Sequence, residues 1–88
     1  MIIPDAKLSI KRLSLSDIVV VEYQERYSAR LSHYISLLQQ HPGEYAGLLA
    51  VAPSKTHPGM YTLLDGHHRF VASIMTGRRD ALCVVIEA

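Results

Sequence analysis

The sequence predicts a small α+β domain in which helices pack on a β-sheet. Apolar residues alternate along some segments and follow a helical period along others, in the order strand, helix, strand, strand, helix, strand. The chain has 88 residues, of which 49% are hydrophobic and 19% charged. This composition supports a core and excludes a disordered chain, and the length suits one domain, residues 1–88.

The first extended segments lie near the N-terminus. Residues 8–13 (LSIKRL) place Leu8 and Ile10 at alternating positions, which predicts a half-buried strand. Residues 16–23 (SDIVVVEY) are rich in β-branched side chains and predict a second extended segment. The pattern leaves open whether these segments form two strands or one bent strand.

The first helix is predicted by a change of period between residues 27 and 40. The spacing of one helical face, i, i+4, i+7, i+8 and i+11, is occupied by Tyr27, Leu31, Tyr34, Ile35 and Leu38. Ser28 is the expected N-cap residue. Pro42 and Gly43 are expected to end the helix.

A β-hairpin is predicted next along the chain. Residues 46–52 (AGLLAVA) and 60–65 (MYTLLD) form short apolar strands. Residues 54–59 (SKTHPG) separate them, and the Pro-Gly pair marks this stretch as a loop.

A second helix and a last strand complete the predicted fold. Residues 67–77 have apolar side chains at helical spacing and end in Gly77, which suits the position after a helix. Residues 81–88 form a continuous apolar run, which is typical of a buried central strand. The link 78–80 (RRD) between them is expected to be a solvated turn.

Residues that can do chemistry concentrate in the segment DGHHR, residues 65–69, where a strand is predicted to turn into a helix. The first turn of a helix has unpaired amides and the positive end of the helix dipole, which together favour an anion. Gly66 would let a ligand approach the backbone. Arg69 offers a fork of donors for phosphate oxygens, and His67 and His68 add ring N–H donors. One interpretation is therefore a phosphate-binding turn.

The alternative interpretation of the same segment is structural. Asp65 would be an N-cap whose carboxylate accepts from the first-turn amides. One histidine would be a packed, hydrogen-bonded residue, and Arg69 would be a solvated surface charge. The segment matches neither GxGxxG nor GxxxxGK[ST], so spacing alone leaves both interpretations open.

DGHHR, followed by Phe70 and Ala72, resembles the strand-to-helix turn of the ParB/sulfiredoxin superfamily. Sulfiredoxins carry GCHR at this turn, ParB proteins carry GERR, and the free serine kinase branch carries DGxHR, which this chain matches best. The element order fits the superfamily across residues 8–88. The resemblance implies a ParB/sulfiredoxin-like single domain, with a small mixed sheet and two main helices packed on it.

The resemblance also implies a nucleotide site, because this turn and its helix bind nucleotide phosphates in the superfamily. The implied nucleotide-binding residues lie at the turn and near the start of the first helix: Gly66, His67, His68, Arg69 and Arg30. His68 and Arg69 would bind the phosphate groups. Arg26 and His33 are further candidates near the first helix. The implied cofactors are a nucleotide (ATP, ADP or CTP) and Mg²⁺.

The sequence departs from the superfamily in ways that bear on chemistry. The catalytic cysteine of sulfiredoxins and the glutamate of the ParB motif both correspond to His67, so a sulfiredoxin reaction is not expected. The GxxQPI box of ParB proteins is replaced by EYAGLLAV, and the chain carries no helix-turn-helix motif. The serine kinases use a carboxylate as base, for which Asp65 and Glu22 are the candidates. Asp65 is also the nearest carboxylate for a metal ion, Mg²⁺.

The predicted function is a nucleotide-phosphate-binding domain, with phosphoryl transfer or NTP hydrolysis as its candidate chemistry. Two alternatives are a DNA-associated ParB-like accessory domain and a catalytically inactive interaction module. A small-molecule phosphoryl acceptor and a homodimer stay open as partners. DNA is not favoured, because a net charge of +1 is small for a protein that binds a long polyanion.

Other features narrow the class of protein. Cys83 lies in an apolar run, which predicts a buried structural thiol, and a single cysteine cannot form an internal disulfide. The five histidines do not have a zinc-site spacing. No signal peptide and no apolar stretch of about 20 residues is present, so we expect a cytoplasmic protein without a membrane partner.

Overall fold

The structure is a computed structural model, and it describes residues 7–21, 29–41, 43, 45 and 47–87. In this part of the chain the elements are, in order, strand β1 (Lys7–Ser14), a 3-10 turn (Leu15–Asp17), strand β2 (Ile18–Val19), helix α1 (Ala29–Gln40), strands β3 (Leu49–Pro53) and β4 (Tyr61–Asp65), helix α2 (His67–Met75) and strand β5 (Asp80–Glu87). Five residues named above lie outside the described residues: Glu22, Arg26, Tyr27, Ser28 and Pro42.

The strands form one mixed sheet in the order β1-β5-β3-β4-β2. Strand β5 pairs antiparallel with β1 and parallel with β3. Strand β4 pairs antiparallel with β3, as the predicted hairpin requires, and parallel with β2. The mixed sheet and two helices confirm the predicted α+β class.

The core lies between the sheet and α2. Leu49 and Val51 on β3, and Cys83 and Val85 on β5, are fully buried, and Phe70 of α2 belongs to the same cluster. Burying one such side chain contributes about 1.5–3 kcal/mol. These contacts fix α2 against the middle of the sheet.

The helix α1 packs on α2 through the face that its sequence predicted. Leu31 and Leu38 are buried together with Ala72 of α2, and Tyr34 and Ile35 pack against them. The last turn of α1 ends at Gln40, ahead of Gly43 at φ 92°.

The second helix ends just before a left-handed glycine, as the sequence predicted. Helix α2 stops at Met75, and Gly77 takes a left-handed φ of 77°. The amide of Arg78 donates to the carbonyl of Ser73 at 2.9 Å, which closes the helix end with the bond expected after a left-handed glycine.

One prediction for the N-terminal strands needs correction. Leu8 and Ile10 are not half-buried, because 67% and 64% of their surfaces are exposed. They lie on an edge strand, on the face of the sheet away from α2, as their pairing with Ile86 and Val84 of β5 shows. The described residues 16–21 of the second extended segment contain the two-residue strand β2, which the 3-10 turn separates from β1, so two strands form here.

The thiol of Cys83 lies in the core. Burial raises the pKa of this thiol above its ordinary value, so the group stays protonated at neutral pH. Its environment agrees with the predicted structural role rather than a reactive one. Within the described residues, no helix has both the length and the apolar character to cross a lipid bilayer.

The predicted solvated turn at 78–80 agrees with the exposure of Arg79 but not with the contacts of Arg78. The Nη2 group of Arg78 donates to the carbonyls of Leu38 and His41 at 3.0 and 3.1 Å. These carbonyls belong to the end of α1, where helix geometry leaves acceptors without internal partners. Arg78 therefore ties the C-terminal end of α1 to the connection between α2 and β5.

We expect Arg78→Ala to lower the free energy of unfolding by about 1–2 kcal/mol, because the half-buried carbonyl of Leu38 and the exposed carbonyl of His41 lose a charged donor. Urea denaturation followed by circular dichroism measures this loss. The matched control is Arg79→Ala, which removes the same charge from an exposed neighbour and should cost less than about 0.5 kcal/mol. Equal effects of the two substitutions would contradict the bracing role.

Candidate functional site

The turn between β4 and α2 depends on glycine at position 66. Gly66 has a left-handed φ of 96° and occupies the N-cap of α2. A Cβ at this position would lie 2.9 Å from Cδ2 of Leu49, which is a fully buried core residue. The backbone conformation and the lack of space both require glycine. The sequence predicted that Gly66 lets a ligand approach the backbone, and the structure shows that the core also requires glycine here.

The start of α2 has no side-chain cap. The first bond of the helix runs from the amide of Phe70 to the carbonyl of Gly66 at 2.9 Å. The amides of His68 and Arg69 precede that bond, so they have no acceptor inside the helix. The Oδ1 atom of Asp65 accepts from the amide of Gly66 at 2.9 Å and not from the first turn of the helix. The structural interpretation of Asp65 as the N-cap is therefore wrong.

A cleft of about 390 Å³ opens at this helix start. It is lined by residues of the turn and of α1: Arg30, Tyr34, Asp65, Gly66, His67, His68 and Arg69. The structure thus brings together six of the nine site residues that the sequence proposed. Arg30 is about 35 positions away from the turn along the chain, and only the packing of α1 on α2 places it here.

Arg69 is held at the cleft by three neighbours. Its Nη1 group donates to the carbonyl of Leu48 at 3.3 Å, and its Cζ atom lies 5.3 Å from the ring centre of Tyr34. The third neighbour is Gly47, where a Cβ would approach the Nε atom of Arg69 to 3.3 Å. Arg69 is therefore not the freely solvated charge of the structural interpretation.

The Nε atom of Arg69 is buried and has no hydrogen-bond partner. A buried donor without an acceptor costs about 1–3 kcal/mol, and more when the group is charged. The guanidinium is thus incompletely satisfied at the wall of the cleft.

The electrostatic balance of the cleft is cationic. Two arginines, Arg30 and Arg69, face one carboxylate, Asp65, before any charge on the two histidines is counted. Among the described residues, the arginines of the cleft form no ion pair within 4.0 Å. Cations in one small volume repel each other, so a bound anion is favoured.

Tyr34 is the cleft residue that the sequence analysis missed. The helical spacing placed Tyr34 on the core face of α1, and its packing against Leu31 and Leu38 agrees with that prediction. Its ring also faces the guanidinium of Arg69. The available signal was its position four residues after Arg30, since residues i and i+4 share a helix face.

Of the three other proposed residues, the structure describes His33. His33 is exposed, packs edge-on against the Tyr34 ring at 5.4 Å, and does not line the cleft. Glu22 and Arg26 lie outside the described residues, so their proposed roles stay predictions from the sequence. Within the described residues no group of three or more His, Cys, Asp or Glu side chains could hold a metal ion.

The mixed five-stranded sheet, the helices on one face and the glycine turn at the start of α2 define a ParB/sulfiredoxin-like fold. Sulfiredoxin from Arabidopsis thaliana has this fold, with a TM-score of 0.72, 17% sequence identity and coverage of 91% of this chain and 86% of that one. No protein-family model and no curated protein matches the sequence.

The chromosome-partitioning protein ParB from Caulobacter crescentus also has this fold. Its C-terminally truncated form complexed with CTP-γ-S has a TM-score of 0.70 and 16% identity, over 91% of this chain and 45% of that one. Its complex with the centromeric parS site has a TM-score of 0.63 and 19% identity, over 85% and 37%. This chain therefore spans less than half the length of the ParB chains that it matches.

We expect Gly66→Ala to lower the free energy of unfolding by about 2–4 kcal/mol, since it combines left-handed backbone strain with overpacking against Leu49. Gly59→Ala separates the two causes, because Gly59 has a similar φ of 82° but open space around it. That control should cost only about 1–2 kcal/mol. Urea denaturation measures both, and equal losses would contradict the close approach to Leu49.

Proposed function

We propose that the cleft at the start of α2 binds the phosphate groups of a nucleotide. The observation that carries the proposal is the meeting of Arg30, His68 and Arg69 at one cleft beside first-turn amides that α2 leaves without acceptors. Helix N-termini and arginine forks are both suited to phosphate oxygens. The ParB neighbour complexed with CTP-γ-S supports a nucleotide as the ligand, and CTP, ATP and ADP are the candidates.

Each cleft residue has a part in this proposal. Gly66 supplies the left-handed turn that places the first amides of α2 at the cleft. The Nη groups of Arg69 and the imidazoles of His67 and His68 donate to phosphate oxygens. Arg30 approaches from α1 on the opposite wall. The Tyr34 ring supports the guanidinium of Arg69 through a cation–π contact.

Mg²⁺ fits this cleft only if the nucleotide supplies most of its ligands. Asp65 is the single carboxylate among the described residues that line the cleft, and one of its oxygens already accepts from Gly66. Mg²⁺ commonly binds one or two carboxylates together with substrate phosphates and water. Asp65 would therefore contribute one ligand, and the ion would neutralise phosphate charge.

The finer proposal concerns NTP hydrolysis. In this step the oxygen of a water molecule forms a bond with the γ-phosphorus while the bond from γ-phosphorus to the bridging oxygen breaks. The nucleoside diphosphate leaves with that electron pair, and the water proton passes to the carboxylate of Asp65. A hydroxyl of a small molecule could replace water as the acceptor, which would make the reaction a phosphoryl transfer.

Isothermal titration of the chain with CTP, ATP and ADP, each with Mg²⁺, tests nucleotide binding. We expect a dissociation constant below about 1 mM for at least one nucleotide. Arg69→Ala and His68→Ala should each weaken it about 10–100-fold, because each removes a donor to a charged phosphate. Arg79→Ala is the matched control, since it removes a cation far from the cleft lining and should leave the affinity within about twofold.

Two outcomes of that titration would overturn the proposal. The first is the absence of binding heat with every nucleotide at millimolar concentration. The second is an equal loss of affinity in Arg69→Ala and Arg79→Ala, which would mean that only overall charge matters. A separate gel-shift experiment tests DNA. If the chain binds a DNA duplex and Arg69→Ala binds it equally well, this turn does not contact the DNA.

Asp65→Asn tests the carboxylate with almost unchanged size. We expect the substitution to abolish most of the gain in affinity that Mg²⁺ gives, because the amide carries no charge for the ion. Release of inorganic phosphate from the bound nucleoside triphosphate is the second readout, with an expected loss of at least about 10-fold. Equal phosphate release from Asp65→Asn and from the unmodified chain would contradict a role for Asp65 as base. If the unmodified chain releases no phosphate, the domain binds nucleotide without hydrolysing it.

A further inference from the structure

The face of the sheet away from α2 is apolar. Paired residues on neighbouring strands point to the same side of a sheet, and the registers place the partners of Val84 and Ile86 on this side. We call it the bare face, and define it by its apolar residues Leu8, Ile10, Ala50, Ala52, Leu64, Leu82, Val84 and Ile86; Arg12 and Thr62 lie on the same side. Leu8, Ile10 and Leu64 are exposed over 67%, 64% and 49% of their surfaces.

The sequence of β5 indicates that this face is covered in the assembled protein. Continuous apolar runs are typical of strands that are buried on both sides. The structure buries Ala81, Cys83 and Val85 on the α2 side, while Leu82, Val84 and Ile86 on the bare face are only half-buried. A contiguous apolar surface of this kind marks an interaction site.

The bare face has both a ridge and a hollow. The ridge is formed by Leu8 and Ile10 on the edge strand β1. The hollow has a volume of about 430 Å³, and Ala52, Leu64 and Ile86 line its floor. A surface that carries a protrusion and a depression of matching apolar character can pack against itself about a two-fold axis.

The charges around the bare face also favour a second copy of the chain. Arg12 and Asp80 form an ion pair at 4.0 Å at one end of the face, and Lys55 and Glu87 border the hollow. Two cations therefore balance two anions. Such a rim selects neither an acidic nor a basic partner, but it is complementary to a rotated copy of itself.

Pairing through the edge of β1 is the less favourable way for two copies to associate. Lys7 and Lys11 lie on this strand, and edge lysines oppose the addition of another strand. Antiparallel pairing of two β1 strands would also bring these like charges together. Face-to-face packing avoids this repulsion.

We propose that two copies of this chain pack through their bare faces, with the ridge of each copy in the hollow of the other. A two-fold axis that runs parallel to the strands, between β5 and β3, places β1 of one copy over β4 of the other. Leu8 is level with Ile86, and Ile86 is level with Ala52 and Thr62 through the registers of β3. The ridge thus meets the hollow at the same height along the strands.

The size of the face predicts a weak dimer. Strand rise and spacing give the four strands β1, β5, β3 and β4 a footprint of roughly 400 Å² per copy. Specific interfaces bury about 1,000 Å² or more in total, and roughly twice 400 Å², enlarged by protruding side chains, only approaches that value. We therefore expect the dimer to form in the upper micromolar range.

Sedimentation equilibrium between about 10 µM and about 1 mM tests the association. We expect a reversible dimer whose dissociation constant rises at least about 10-fold in Ile10→Glu, because the substitution buries a charge in the interface. Ile74→Glu is the matched control, since Ile74 is 51% exposed but lies on α2. Circular dichroism checks the fold of both variants.

A sedimentation profile that stays monomeric at the highest concentration overturns the proposal and assigns the face to a different partner or to a further segment. An equal effect of Ile10→Glu and Ile74→Glu also overturns it, because the association would not use the bare face.

Cross-linking of the single variants Leu8→Cys and Thr62→Cys tests the geometry. In the proposed dimer, Leu8 of one copy lies above Thr62 of the other across sheets that are about 10 Å apart, which exceeds the reach of a disulfide but not that of a bis-maleimide with a spacer of about 8 Å. Two copies of the same variant place their thiols about 17 Å apart, because their positions also differ by three strand spacings. An equimolar mixture of the two variants should therefore give more covalent dimers than either variant alone, and equal yields from all three samples overturn the face-to-face arrangement.

Discussion

The geometry of the candidate site depends on the contact between Gly66 and Leu49. The left-handed glycine turns β4 into α2 within one residue, and its missing side chain lets the turn rest directly on a fully buried leucine of β3. The start of α2 is therefore fixed by the core and not by a side-chain cap. Phe70, one turn into the helix, enters the same core, so the direction of the helix dipole is set by packing.

The second constraint is the space around Arg69. A long cationic side chain is entropically costly to hold in one place, at about 2 kcal/mol for full ordering. Here Gly47 leaves room for the side chain, the carbonyl of Leu48 accepts one of its hydrogens, and Tyr34 supports its plane. Because these contacts come from α1 and from the approach to β3, the guanidinium is ordered before any ligand arrives. This pre-organisation lowers the cost of binding an anion.

Sequence patterns were informative where one short-range rule decided the outcome. The hairpin, the C-terminal ends of both helices and the apolar face of α1 followed from turn residues and periodicity. The patterns were wrong for Leu8 and Ile10, because alternation says that one face is apolar but not that an element covers it. They also missed the brace formed by Arg78 and the contact between Tyr34 and Arg69, since both join residues more than 30 positions apart. Tertiary packing alone creates such pairs.

Under the proposed function, folding and ligand binding are coupled in a domain of this size. The cations that line the cleft repel each other in the folded chain, and a bound anion would relieve that repulsion. A ligand that binds only the folded chain at 100 times its dissociation constant adds about 2.7 kcal/mol to stability. That gain is comparable to the burial of one core side chain. An anion site, as proposed, explains why Arg30 and Arg69 converge, whereas a structural turn alone does not require two cations.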